Sequence, residues 1–205
     1  MNADLSVYLV TDSADETALQ TALAAARGGV TAVQLRDKSL SDATFIERGR
    51  RFKAALAPFG VPLIVNDRLA AAVAIDASGV HVGQSDVSAT EARAVLGPSR
   101  LVGLSIETPA QVAEVDRDAV SYIGAGPVRA TSSKPDHAPP TGFDGLAAIC
   151  RAASHPVIAI GGLSLGDVGA IKASGCTGMA VVSAIALSDD PEGATRELVR
   201  AWRTA

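Results

Sequence analysis

The chain has 205 residues, 48% of them hydrophobic and 20% charged, and a formal net charge of -4. An acidic chain with 3% aromatic residues has no long-range attraction for nucleic acid and little for base stacking, so any anion site must be local. Cys150 and Cys176 have no CxxC or histidine-rich company, which points to packed thiols in a reducing compartment rather than a disulfide framework or a zinc site.

In chain order, Ser6 to Val10 is an apolar strand running into Thr11-Asp12, and Glu16 to Arg27 is an alanine-rich helix closed by Gly28-Gly29. The strand-helix unit then recurs: strand 32–36 with helix 41–57, strand 62–66 with helix 68–75, and strand 79–82 with helix 88–96. Strand 101–105 with helix 108–116, strand 120–124 with helix 143–153, strand 156–160 with helix 164–173, and strand 178–182 with helix 191–203 complete eight units.

The strands are near-continuous apolar runs, as in a parallel sheet covered on both faces. Eight units without a composition break predict an α/β fold, a single parallel eight-stranded (β/α)8 TIM barrel spanning residues 1–205. A doubly wound sheet is the competing architecture, but no GxGxxG follows the first strand. The N-terminus lacks a basic and apolar leader, and the uncharged stretch from Ala173 to Ser188 is too short to span a bilayer. A cytoplasmic protein with no membrane partner is expected. The proline-rich segment Ala125 to Thr141 is long for so economical a barrel, and is a candidate lid.

In a barrel the chemistry collects where the strands end. In Ala32-Val33-Gln34-Leu35-Arg36-Asp37-Lys38, strand alternation points Val33 and Leu35 one way and Gln34 and Arg36, followed by Lys38, the other. An amide and two cations at a strand end suit an anion, although a solvated loop would also accommodate them. Val65-Asn66-Asp67-Arg68 and Gly83-Gln84-Ser85-Asp86 each deliver a carboxylate from a neighbouring strand. Asp67 and Asp86 read either as helix caps or as oxygen ligands for Mg²⁺ with substrate phosphate completing the shell. Ser105 ends strand five as a phosphate hydrogen bonder or a helix-start serine, while Thr131, Ser132, Ser133 and Lys134 supply hydroxyls beside a cation. Gly161-Gly162 and Val182-Ser183, at strands seven and eight, suit a second phosphate. His81 sits mid-strand and reads as packing, and no Ser-His-Asp or Cys-His arrangement suggests itself.

Taken together, Gln34-Leu35-Arg36-Asp37-Lys38, Val65 to Arg68, Gly79 to Asp86, Gly126-Pro127, Thr131 to Lys134 and Gly161-Gly162 resemble thiamine phosphate synthase along nearly the whole chain. That resemblance implies a transferase that joins 4-amino-2-methyl-5-hydroxymethylpyrimidine diphosphate to 4-methyl-5-hydroxyethylthiazole phosphate, giving thiamine phosphate and diphosphate. It implies that the substrates lie against Gln34, Leu35, Arg36, Asp37, Lys38, Asn66, Ser105 and Lys134 on the pyrimidine diphosphate side. Thr131, Ser132, Ser133, Gly162, Val182 and Ser183 would bind the thiazole phosphate. Arg36, Lys38, Ser105 and Lys134 would act in the chemistry, and Asp67 and Asp86 would hold Mg²⁺. The implied mechanism is dissociative: diphosphate leaves first and the thiazole nitrogen then attacks, with no protein nucleophile. One Mg²⁺ and three cations set against two carboxylates balance a diphosphate ester. Arg129 departs from the family pattern on the thiazole side.

Two other readings stand beside it. A thiazole tautomerase of related fold would keep the phosphate site and carry a catalytic histidine about where Gly126 stands, and a phosphate-ligand sensor would bind without turnover. Oligomeric state is left open, a homo-oligomer included.

Overall fold

The computed structural model describes residues 3–131 and 139–205. Strands β1 (Val7–Val10), β2 (Ala32–Leu35), β3 (Leu63–Asn66), β4 (Gly79–Val82), β5 (Leu101–Ile106), β6 (Tyr122–Ala125), β7 (Val157–Ile160) and β8 (Gly178–Val181) pair in sequence order. All are parallel, and β8 pairs back onto β1 to close the barrel. The helices around it are α1 (Glu16–Gly28), α2 (Asp42–Leu56), α3 (Leu69–Ile75), α4 (Ala89–Leu96), α5 (Pro109–Val112), α6 (Gly142–Ala152), α7 (Val168–Ala173), α8 (Ser183–Ala186) and α9 (Pro191–Thr204). None of the described helices is long and apolar enough to cross a membrane.

Local chemistry sets most of these boundaries. Asp15, Ser41 and Ser88 accept backbone N–H bonds at the starts of α1, α2 and α4, and Gly29 ends α1 in the left-handed region at φ 94°. Two boundaries depart from the sequence reading. The helix expected over 108–116 stops at Val112, because the Asp116 carboxylate accepts the Asp118 N–H and its carbonyl accepts from Ala119 and Val120, folding that stretch into turns. A short extra helix, α8, follows β8 directly.

Strand alternation builds two shells. Val7, Leu9, Val33, Leu35, Val65, Val80 and Val82 face outward and pack under the helices. Tyr8, Val10, Ala32, Ile64, Leu101, Tyr122, Ile158 and Ala180 fill the barrel. Register decides which large groups fit inside. Tyr8 lies between Ala32 and Ala180 on the adjacent strands, and Gly103 lies between His81 and Tyr122, so each ring has a small neighbour.

Candidate active site

A cavity of about 180 Å³ opens at the carboxyl ends of the strands. Its floor is polar. Gln34, which is 4% exposed, donates through Nε2 to the Tyr8 hydroxyl at 3.0 Å. Tyr8 and Tyr122 hydroxyls are 3.1 Å apart, Tyr122 bonds His81 Nδ1 at 3.0 Å, and His81 Nε2 bonds Ser105 Oγ at 3.0 Å. Burial pushes both phenols well above their ordinary pKa, so they remain protonated donors. Glycines make the room: a Cβ on Gly103 would lie 2.3 Å from His81 Nδ1, and one on Gly124 2.8 Å from His81 Cε1.

Charge stands at the rim. Arg36 and Lys38 line the cavity on the same side as Gln34, and neither makes an ion pair with any described residue. Asn66 donates through Nδ2 to Asp67 Oδ2 at 2.8 Å, and Asp86 Oδ2 accepts from the Gly83 N–H at 2.7 Å. Asp67 has φ 52°, a left-handed conformation that aspartate tolerates better than most residues, and its N–H is held by the His81 carbonyl at 2.8 Å. Burial, reinforced by the charge of Asp86, raises the Asp67 carboxyl above its ordinary pKa, with Lys38, Arg68 and Arg36 opposing. Asp12 and Glu107 also line the cavity. Among the described residues four carboxylates therefore face two cations, so the charge balance drawn from sequence omitted two negative groups at strand ends.

The far side of the cavity is backbone. Gly161 and Gly162 adopt φ 101° and 66°, and a Cβ on them would lie 2.6 Å from Pro127 Cα and 2.5 Å from the Ala130 carbonyl. That close approach is tied by Val128 N–H to the Ile160 carbonyl at 2.9 Å and Arg129 N–H to the Gly161 carbonyl at 3.0 Å. Thr131, Val182 and Ser183 complete this wall. The Thr141 N–H reaches the Pro127 carbonyl at 2.8 Å, pinning together the two ends of the long segment. Ser132, Ser133 and Lys134, and with them the lid expectation, lie outside the described residues.

Gln34, Arg36, Lys38, Asn66, Asp67, Asp86, Ser105, Thr131, Gly162, Val182 and Ser183 thus converge on one cavity. Leu35 and Asp37 do not line it. Leu35 is fully buried in the outer shell, as alternation requires. Burial opposes the charge of Asp37, but hydrogen bonds from Ser39, Ala14 and Leu40 outweigh it and hold the carboxyl below its ordinary pKa. Asp37 clasps the β2–α2 loop to the approach of α1. Arg68 turns away to the Leu40 and Asp37 carbonyls and stacks 4.7 Å over Phe45. Arg129 bonds Asp167 at 2.8 Å and stacks 5.2 Å over Phe143, outside the cavity lining. At Gly126 a Cβ would lie 2.1 Å from the Ile160 carbonyl, so no histidine could stand there without moving β7. His81, Tyr8 and Tyr122 were not among the residues singled out for chemistry, although the alternation that selected Gln34 also turns His81 inward.

The family model described as thiamine monophosphate synthase matches residues 7–185. A thiamine-phosphate synthase of Xanthobacter autotrophicus is 47% identical over 95% of this chain and 94% of its own length. One from Psychrobacter is 44% identical over 95% of this chain and 94% of its own. The solved thiamine phosphate pyrophosphorylase of Pyrococcus furiosus superposes with a TM-score of 0.88 at 28% identity, covering 98% of this chain and 96% of that one.

Proposed function

The chain belongs to the thiamine monophosphate synthase family, and on that premise we propose that the cavity joins 4-amino-2-methyl-5-hydroxymethylpyrimidine diphosphate to 4-methyl-5-hydroxyethylthiazole phosphate. The products are thiamine phosphate and diphosphate. The observation that carries this reading is the convergence of an amide floor, two cations that make no ion pair with any described residue, a hydroxyl and a carboxylate pair on one cavity.

The pyrimidine ring lies over the floor, with Gln34 hydrogen bonding its edge. Arg36, Lys38, Asn66 and Ser105 take the diphosphate, joined by Lys134. The methylene carbon–oxygen bond breaks first and its electron pair leaves with the diphosphate, whose developing charge the two rim cations and the Ser105 hydroxyl receive. The thiazole nitrogen lone pair then forms the new carbon–nitrogen bond, while Gly162, Val182, Ser183 and the Thr131 to Ser133 segment hold the thiazole phosphate. Walls of apolar strand ends keep water from competing for the cation.

Mg²⁺ fits Asp67 and Asp86. Burial and then the charge of Asp86 raise the Asp67 carboxyl's cost of ionisation, and the excess of negative charge at the rim would repel a diphosphate unless a cation intervened. Bound there, Mg²⁺ supplies positive charge against the diphosphate oxygens. The reaction is assigned to the cytoplasm, since both substrates are charged and water-borne.

The test substitutes Asp67→Asn and Asp86→Asn. Each variant should lose Mg²⁺-dependent turnover and Mg²⁺-dependent affinity for the diphosphate substrate in calorimetry, while thiazole phosphate still binds. Undiminished turnover in either variant would remove that carboxylate from the metal site, and undiminished turnover in both would remove the metal site itself.

A further inference from the structure

The floor hydrogen bonds run in series: Gln34 Nε2 to Tyr8 at 3.0 Å, Tyr8 to Tyr122 at 3.1 Å, Tyr122 to His81 Nδ1 at 3.0 Å, and His81 Nε2 to Ser105 Oγ at 3.0 Å. Such a series has a direction, because a hydroxyl has one proton to give and a neutral imidazole donates through one nitrogen and accepts at the other. Gln34 sets that direction. Its amide nitrogen only donates, so Tyr8 accepts there and spends its proton on Tyr122, and Tyr122 spends its own on His81 Nδ1. The proton of His81 then sits on Nε2 and goes to Ser105. The opposite order would need the Gln34 amide turned over, with its oxygen rather than its NH₂ on the Tyr8 hydroxyl. An imidazolium would leave the Tyr8 proton pointing at the Gln34 NH₂.

We propose that Tyr8 and Tyr122 are positioning residues that hold His81 as its Nε2–H tautomer, so that the proton of Ser105 is released to the cavity and donated to the departing diphosphate. The inference rests on the reading of Ser105 as a diphosphate hydrogen bonder, and it adds what makes that hydroxyl a donor. In the reversed order Ser105 would give its proton to His81 and present only lone pairs to an anion.

The test is ¹⁵N NMR of histidine-labelled protein without substrates. The chain has three histidines, so His137→Gln and His155→Gln variants assign the His81 signals. The wild type should show the Nε2–H pattern at neutral pH. In Tyr122→Phe, part of the His81 population should move to Nδ1–H, kcat should fall about tenfold for one lost hydrogen bond, and KM for the diphosphate substrate should change less. Tyr8→Phe, one bond further along the series, provides the same readout if Tyr122→Phe does not fold. A wild-type Nδ1–H or doubly protonated His81, or a tautomer unmoved in the Phe variant, would overturn the proposal. Because the spectrum needs no turnover, a correct tautomer in a protein without synthase activity would count against the function alone.

At the other end of the barrel, Cys150 on α6 and Cys176 just before β8 hold their sulfurs 3.3 Å apart, both as free thiols. Cys150 is half-buried and Cys176 is buried. We propose that this pair is a site of reversible oxidation by peroxide, closing to an intramolecular disulfide. The Cys150 thiolate attacks hydrogen peroxide, the O–O bond breaks and water leaves a sulfenic acid; Cys176 sulfur then attacks Cys150 sulfur, the S–O bond breaks and a second water leaves. Two protons and two electrons pass from the thiols to the peroxide. The hydrogen bond from Cys176 lowers the Cys150 thiol below its ordinary pKa, which suits the more exposed sulfur to the first step.

Brief exposure of the folded protein to hydrogen peroxide, followed by thiol titration in denaturant and intact mass, tests this. The wild type should lose both thiols and about 2 Da, stay a single chain, and regain both with dithiothreitol. In Cys150→Ser, Cys176 should remain a thiol. Oxygen addition without loss of the pair, a disulfide between chains, or two intact thiols where free glutathione in the same tube is oxidised would overturn it.

Discussion

Gly103→Ala should disturb the cavity floor more than its single methyl group suggests. The new Cβ would lie 2.3 Å from His81 Nδ1, 2.3 Å from Tyr122 Cζ and 2.4 Å from the Tyr122 hydroxyl, all more than an ångström inside ordinary contact. Neither ring can retreat easily: Tyr122 is 1% exposed, and each ring is held by hydrogen bonds on the floor. Overpacking of this kind costs about 1–3 kcal/mol. The smaller conformational freedom of alanine in the unfolded chain offsets about 0.4–1 kcal/mol. Mid-range values leave a loss of about 1.3 kcal/mol, which corresponds to a Tm lower by about 3–5 °C in a chain of this size. Thermal unfolding followed by circular dichroism measures that loss, and synthase turnover should fall with it as His81 and Ser105 separate. Gly169→Ala is the matched control. Its Cβ meets nothing within 4 Å in α7, so it should gain about 0.5–1 kcal/mol. A Gly103→Ala protein that melts at or above the wild type with unchanged turnover would refute the packing of the floor.

Asp67→Asn should stabilise the protein in chelator at neutral pH even as it removes activity. A carboxyl raised by folding contributes stability that is complete below its unfolded pKa and lost as pH climbs through its folded one, so the Tm gain should shrink toward zero near pH about 3; melts across pH check this. Arg36→Met and Lys38→Met should each lower kcat/KM for the diphosphate substrate by about 10–100-fold, the loss of a charge-assisted hydrogen bond, in steady-state kinetics. Arg129→Ala should leave KM for the thiazole phosphate within about threefold of wild type and cost about 1–3 kcal/mol in urea unfolding, since its guanidinium is the charge-assisted partner of the buried Asp167 carboxylate.

How much of this was legible without coordinates depended on what each signal rests on. The barrel was legible because apolar strands and helices alternate eight times, and the caps Ser41 and Ser88 carry local signatures that tertiary context did not override. Gln34 followed from side-chain alternation on β2. Arg36, Asp37 and Lys38 lie past the end of that strand, where the loop decides: Arg36 and Lys38 reach the cavity, while loop hydrogen bonds hold Asp37 away from it. The floor was hidden for another reason: Tyr8, His81 and Tyr122 come from strands far apart in sequence, and only cross-strand register sets Gly103 between two of them. The pattern that could have exposed His81 was present, since Val80 and Val82 on either side of it are outward-facing core residues. Asp12 and Glu107 escaped similarly, each lying just past a strand end where nothing in the local sequence distinguishes a cavity carboxylate from a solvated one.

The most direct measurement mixes the purified protein with the pyrimidine diphosphate and the thiazole phosphate, with and without Mg²⁺, and follows thiamine phosphate by mass spectrometry alongside released diphosphate. The expected result is equal amounts of the two products, formed only with Mg²⁺. Binding of both substrates by calorimetry with no thiamine phosphate formed under any metal condition would contradict it.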